Sequence, residues 1–186
     1  MSRKKDKEKI LFFRESVFKI AELIFNKPST EFHIRGLAKL TGISTTAVAR
    51  AIDELHYLDI VKVEKSPITT KIKVNLESES YRFYKKIFNL YRLERYKLIQ
   101  TLKETYRAKT IVLFGSFAKG EDVEESDIDL LILTNHKEKI DLAAYEKIFK
   151  RHINLHILNS LEKSSSEFKN AVANGIVLHG YLKVVS

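Results

Sequence analysis

Asp127 and Asp129 sit at the head of the apolar run Ile128-Asp129-Leu130-Leu131-Ile132-Leu133. In an extended strand, residues two apart share a face with Cα atoms roughly 7 Å apart, so the two carboxylates project together and can hold a cation. Upstream, a second β-rich run, Thr110-Ile111-Val112-Leu113-Phe114, stops at Gly115-Ser116, and Phe117-Ala118-Lys119-Gly120 reads as one helical turn. A glycine lets backbone approach a phosphate closely, and a serine at the start of a helical turn adds a hydroxyl to the N–H groups exposed there.

Several elements must position these groups. The two runs are predicted strands separated by the acidic loop Glu121 to Glu125, and a predicted helix over Ile140 to Phe149 leads to a third strand, His152 to Leu158. On that strand Ile153, Leu155 and Ile157 share one face, and Asn154, His156 and Leu158 share the other. A helix over Leu161 to Asn174 and a short strand from Ile176 to Leu182 close the other flank of the sheet.

Gly115-Ser116, Ala118, Gly120 and the block Ser126-Asp127-Ile128-Asp129-Leu130 together resemble the signature of the nucleotidyltransferase superfamily that includes DNA polymerase beta and kanamycin nucleotidyltransferase, most closely its minimal stand-alone members. A lone Asp-x-Asp is weak, whereas Gly-Ser after one strand with Asp-x-Asp opening the next is a specific pairing. The resemblance implies that Gly115, Ser116 and Ser126 bind a nucleoside triphosphate, with ATP the expected nucleotide. It implies that Asp127 and Asp129 ligate two Mg2+ ions that activate an attacking hydroxyl and stabilise the leaving pyrophosphate. Lys119 stands where family members often carry an arginine, and is either a partner for the triphosphate or a solvated lysine. The pattern also asks for a third carboxylate, and here the chain departs from it, with Asn154 at that position and His156 two residues on. Asn154 can offer a carbonyl oxygen to Mg2+ and His156 can serve as a general base, or both are plain polar residues at a strand end.

The N-terminal part has a different character. Ile10, Phe13, Val17, Ile20, Ala21 and Ile24 recur at helical steps over Lys9 to Phe25, and Asn26-Lys27-Pro28 ends the helix. A second helix over Ile34 to Leu40 precedes Thr41-Gly42-Ile43-Ser44, where Gly42 suits a tight turn and Ser44 can cap a third helix running to Tyr57. Val48, Ala51, Ile52 and Leu55 form that helix's inward face. Two alternating runs, Ile60 to Glu64 and Lys71 to Asn75, flank a turn over Pro67 to Thr70.

Three helices followed by a hairpin resemble a winged helix-turn-helix. The resemblance nominates Thr45, Thr46 and Arg50 for the major groove and Lys65, Thr69, Thr70 and Lys71 for the phosphate backbone. Arg50 can offer a bidentate fork to a guanine edge. Such units also serve in protein docking or dimerisation. From Glu77 to Arg107 no Gly or Pro interrupts a stripe of Tyr81, Tyr84, Phe88, Tyr91, Leu98, Leu102 and Tyr106, which reads as one long connecting helix. Its aromatic stripe is a dimer seam, core, or a stacking surface for nucleic acid, with the seam preferred because winged-helix readers usually work as two-fold dimers.

Composition bounds these readings. The 186 residues carry a net charge of +9, distributed as +4 over 1–80, +7 over 81–110 and −2 over 111–186. A basic N-terminal part suits a polyanion and an acidic C-terminal part suits a cation, although ordinary solvated surface accounts for either. The lack of cysteine excludes disulfide frameworks, thiol nucleophiles and cysteine-ligated zinc. No run is long enough to span a membrane and no signal peptide is read, so a cytoplasmic protein is expected.

The expected architecture is α+β: a winged helix (three helices plus a β-hairpin) over 1–76, a long connecting helix over 77–107, and a nucleotidyltransferase-fold α/β domain with a small mixed sheet over 108–186. The expected partners are DNA, a nucleoside triphosphate and a second copy of the chain. The expected activity is Mg2+-dependent transfer of a nucleoside monophosphate to a hydroxyl of a protein, such as a paired toxin, of an RNA, or of a small molecule. The competing expectation is a transcription regulator whose degenerate nucleotidyltransferase domain senses nucleotide without turnover.

Overall fold

The computed structural model describes residues 15–66, 69–136 and 138–183. The chain divides into two compact units between Tyr81 and Arg82.

In the first unit, α1 (Glu15–Asn26) packs its periodic face, Val17, Ile20, Ala21, Ile24 and Phe25, into a core shared with Leu37, Val48, Ala51, Ile52 and Leu55. The expected helix residues Lys9 to Arg14 lie outside the described residues. A short strand β1 (Phe32–His33) leads into α2 (Ile34–Thr41), which ends on Gly42 in the left-handed region. The Ser44 hydroxyl then accepts a hydrogen bond from the Ala47 amide and caps α3 (Thr45–Tyr57). Strands β2 (Val61–Lys65) and β3 (Thr70–Val74) pair antiparallel, and β1 adds to β3 in the order β1-β3-β2. Side-chain pattern does not predict β1, because two residues are too short to show a period. Pro67 and Ile68 of the expected turn lie outside the described residues.

The expected long helix over 77–107 is two helices, α4 (Glu79–Arg95) and α5 (Leu98–Tyr106), separated by Lys97 in a left-handed conformation (φ 55°). A break of two residues, Tyr96 and Lys97, is too short to interrupt the apolar pattern visibly, so periodicity alone does not reveal it. Most of the apolar stripe is core of the chain itself: Tyr81, Phe88, Leu98, Leu102 and Tyr106 are all at most 2% exposed, whereas Tyr84 is half-buried and Tyr91 exposed. The seam expectation is corrected accordingly.

In the second unit, β4 (Thr110–Phe114), β5 (Ile128–Leu133), β6 (Ile153–Leu158) and β7 (Ile176–His179) form a mixed sheet in the order β6-β5-β4-β7. Only β5 and β6 are parallel, joined through α7 (Ala143–Phe149). One sheet face packs Ile111, Leu113, Ile128, Leu130 and Ile132 against Leu93, Leu98, Leu102, Tyr106 and Phe149. The other face, Val112, Phe114 and Leu131, is covered by Leu161 and by Val172 of α8 (Ser166–Ala173). Both α7 and α8 are shorter than expected. Asp141 supplies the amide of Ala143 with a carboxylate acceptor, and Ser165 caps α8, so each start is set by a polar side chain within the periodic run.

Candidate functional site

The sheet register assembles the site. Phe114 of β4 pairs with Asp129 of β5, and Asp129 pairs in turn with Asn154 of β6, so Phe114, Asp129 and Asn154 lie in one row across three strands, with Gly115 directly after the first of them. Gly115 has φ +76°, and a Cβ there would stand 2.6 Å from Asp129 Oδ2. A side chain at 115 would be strained and would displace the carboxylate. Asn154 Nδ2 donates to Asp129 Oδ1 at 3.1 Å. One carboxylate oxygen is thus held by an amide and the other lies over the glycine backbone.

The remaining expected residues are distributed unevenly around this row. Asp127 is exposed and precedes β5, so loop geometry, not strand alternation, directs it. The helical turn begins at Gly115, as α6 (Gly115–Lys119), placing Ser116 half-buried in that turn and Lys119 exposed at its end. Ser126 is turned into its own loop: its hydroxyl accepts from the Val123 amide at 3.0 Å, and its amide donates to the Val123 carbonyl at 3.1 Å. The ring of His156 packs against Phe114 and Phe168, which also touch each other, with centroid separations of 5.3 and 5.1 Å. That setting suits a packed aromatic side chain better than a general base. Asn154 faces Asp129 and orients it through the amide.

A buried polar cluster beside the row is not foreseen from sequence. Asp122, in the acidic loop Glu121 to Glu125, is 1% exposed. Its Oδ2 meets Arg151 Nη2 at 2.7 Å and Lys85 Nζ at 3.1 Å, and Asn89 Nδ2 donates to its Oδ1 at 2.7 Å. Asn89 Nδ2 also donates to the Phe117 carbonyl of α6 at 2.9 Å. Arg151 Nη1 donates to the carbonyls of Val123, Glu124 and Ser126, at 3.1 Å to the last two. Burial pushes the Lys85 ammonium down from its ordinary 10.5 to about 8, against the opposing pull of Asp122 and with help from the charges of Arg151 and Arg92. Lys85 and Asn89 recur four residues apart between the apolar positions of α4, the one sequence signal of a polar stripe facing inward.

The donors at the row fit a hard cation that takes most of its ligands elsewhere. Mg2+ is commonly held by one or two carboxylates, with substrate phosphates and water completing its shell. Exposed Asp127 and half-buried Asp129 match that, and no group of three or more acidic or histidine ligands occurs among the described residues. A cavity of about 790 Å³, lined in part by Lys109, Asn159, Lys169 and Tyr181, lies at the opposite end of the sheet and plays no part in this row.

In the first unit Thr45, Thr46 and Arg50 are exposed on α3. Lys65 is exposed at the end of β2. Thr69 and Thr70 are half-buried, and the Thr69 hydroxyl and the Thr70 carbonyl each lie 3.2 Å from His33 Nδ1. Lys71 is paired with Glu31 at 3.3 Å, and Lys73 meets the same carboxylate at 3.3 Å. Partial burial works to raise the Glu31 carboxyl, but Lys73 and Lys71 together hold it below its usual range. The strand-borne lysine is therefore less available to phosphate than Lys65.

Comparison with known proteins settles the family. The polymerase beta, nucleotidyltransferase family matches residues 96–181, a span that begins just before α5. A Methanocaldococcus jannaschii protein, named as a candidate protein adenylyltransferase, is 40% identical over 70 residues, which cover 34% of this chain and 68% of that relative. The chain belongs to the polymerase beta nucleotidyltransferase family. A second nucleotidyltransferase-type relative of the same organism and the same description is 50% identical over 40 residues, 22% of this chain and 39% of that protein. The chain thus spans about two thirds of the first relative and about two fifths of the second. Among solved structures, the adhesin competence repressor of Streptococcus pyogenes matches at 19% identity over 47% of this chain and 64% of its own, with a TM-score of 0.34, too low to carry an argument. No described helix is long and apolar enough to cross a membrane.

Proposed function

We propose that the second unit binds a nucleoside triphosphate with Mg2+ and transfers its nucleoside monophosphate to a hydroxyl, with ATP as the nucleotide and a protein side chain as the acceptor. The observation that carries this reading is the Asp129 carboxylate seated over Gly115 and oriented by Asn154, in a chain of this family. The relatives described as candidate protein adenylyltransferases favour ATP and a protein acceptor over the RNA and small-molecule alternatives.

The Ser116 hydroxyl and the α6 amides supply donors to a phosphate, and Lys119 offsets its charge. Asp127 and Asp129 hold the cation. When bound, Mg2+ supplies charge neutralisation at the triphosphate and polarisation of the attacking hydroxyl, with the two-ion arrangement as the fuller version of this proposal. The acceptor hydroxyl gives its proton to solvent, its oxygen bonds to the α-phosphorus, the bond to the α–β bridging oxygen breaks, and pyrophosphate leaves.

The amide at 154 favours a second reading, a nucleotide-sensing regulator without turnover. Incubation with α-phosphate-labelled nucleotides, Mg2+ and fractionated cell extract, beside the double variant Asp127→Ala, Asp129→Ala, separates the two. Label transferred to a macromolecule by the parent alone supports the transferase, and its sensitivity to protease or nuclease gives the acceptor class. Mg2+-dependent nucleotide binding with no transferred label overturns turnover and leaves sensing.

The proposal extends to DNA for the first unit. The exposed set Thr45, Thr46 and Arg50 on a capped helix, with Lys65 on the hairpin, supports a groove reader with a phosphate-contacting wing. A two-fold dimer is proposed on the general habit of such readers. Affinity for duplex DNA that falls steeply with salt supports this assignment, and weak, salt-insensitive binding overturns it.

A further inference from the structure

Asp127 lies in the segment between α6 and β5, where no ladder hydrogen bonds are available to fix it. Exposed loop backbone of this kind ordinarily samples several conformations, and a carboxylate on it loses affinity for a cation by the cost of ordering. Here the backbone is restrained from beneath. Arg151, with a side chain 2% exposed, sends Nη1 to the carbonyls of Val123, Glu124 and Ser126, the last directly preceding Asp127. Its other terminal nitrogen, Nη2, is anchored on Asp122, which Lys85 and Asn89 hold in turn. The guanidinium therefore bridges the buried anchor and the loop. Gly120 completes the closure: with φ +76°, a Cβ there would stand 2.2 Å from the Arg82 carbonyl, so loop and α4 backbone meet at a distance only glycine allows.

We propose that Arg151, anchored by Asp122, is a positioning residue that holds the Val123 to Ser126 backbone so that Asp127 meets the cation beside Asp129. This rests on the nucleotide-Mg2+ reading of the site. It assigns Arg151 no contact with nucleotide or metal. The planar fork is essential to it, because a lysine at 151 keeps the charge facing Asp122 but cannot reach Asp122 and three carbonyls at once. Outer partners of metal-binding side chains typically cost 10–100-fold in metal affinity when removed.

The test compares the full chain with Arg151→Lys in two measurements. In the first, ATP binding is followed against Mg2+ concentration. The Arg151→Lys variant is expected to need about 10–100-fold more Mg2+ for half-saturation and to recover parental ATP binding at saturating Mg2+. A general loss of folded protein would lower binding at every Mg2+ concentration. In the second, amide hydrogen exchange of residues 123–127 is followed without ligand, and exchange in the variant is expected to rise there while β4 and β5 stay protected. Unchanged exchange in the loop, or an unchanged Mg2+ requirement in a parent that binds ATP, overturns the proposal. A parent that fails to bind ATP with Mg2+ overturns the nucleotide reading, and the loop exchange then decides the restraint by itself. Should Arg151→Lys not fold, Asp122→Asn, which preserves shape and the contact with Asn89, is carried through the same two measurements.

Discussion

Two aspartates only five positions apart in sequence, Asp122 and Asp127, have opposite surroundings. Asp122 is 1% exposed, and its carboxylate is met by Lys85, Arg151 and Asn89. Asp127 is exposed at the mouth of β5. A buried carboxylate is tolerated only when its charge is answered within the chain, and once answered it has no capacity left for a ligand. An exposed one contributes little to folding and keeps its lone pairs for a cation. Between α6 and β5 the chain thus sets a buried structural anion, Asp122, close in sequence to an exposed one, Asp127, for which cation binding is proposed, and exposure with partner count separates them.

That contrast is open to direct attack. Asp122→Ala is expected to give the largest loss, about 3–5 kcal/mol, because it strands the Lys85 and Arg151 charges in the interior. Chemical denaturation measures it, and a loss below about 1 kcal/mol would show that water reaches and solvates the two cations.

The second expected effect is a pH dependence from Lys85. Its folded value of about 8 lies below the ordinary 10.5, so between these values the unfolded chain binds a proton that the folded chain does not. Stability from this group is complete above about 10.5 and is lost as pH falls through about 8. The parent should therefore gain on Lys85→Met by on the order of 3 kcal/mol from pH 8 to pH 10.5, since a tenfold change in proton affinity is worth about 1.4 kcal/mol. A stability difference that stays flat across the window contradicts the buried-ammonium assignment.

Gly115→Ala is next, at about 1–3 kcal/mol for a positive φ in a non-glycine residue. It should also weaken nucleotide binding by displacing the Asp129 carboxylate. Thermal unfolding and a binding titration on one preparation check both, and an unchanged titration would remove Gly115 from the site. Asp127→Ala should have the smallest effect on folding, within about 0.5 kcal/mol, while abolishing Mg2+-dependent nucleotide binding. Equal losses of stability in the alanine variants of Asp122 and Asp127 would erase the distinction between them.

The local elements were legible because their causes are local. The continuous apolar runs at residues 110–114 and 128–133, the Gly42 turn and the Ser44 cap all follow from local side-chain pattern or from a single residue's conformational preference. Gly115 and Asp129 were legible as a motif for the same reason: a strand end, a glycine and an acid are each visible along the chain. The sequence by itself determined the family, the mixed strand-and-helix character of the C-terminal part and the helix-then-hairpin order of the N-terminal part. It also determined which acids were candidates.

What only the tertiary structure decided depends on residues far apart in the chain. The Asp129–Asn154 hydrogen bond needs the parallel register of β5 and β6. The tilted contacts of His156 with Phe114 and Phe168 need the packing of α8 on the sheet. The burial of Asp122 needs a lysine and an asparagine from α4 and an arginine that follows α7. The spacing of charges along a chain says nothing about which of them will share a low-dielectric interior. Side-chain period reports which face of an element is apolar, but the partner of a buried charge is chosen by whichever strand or helix closes over it.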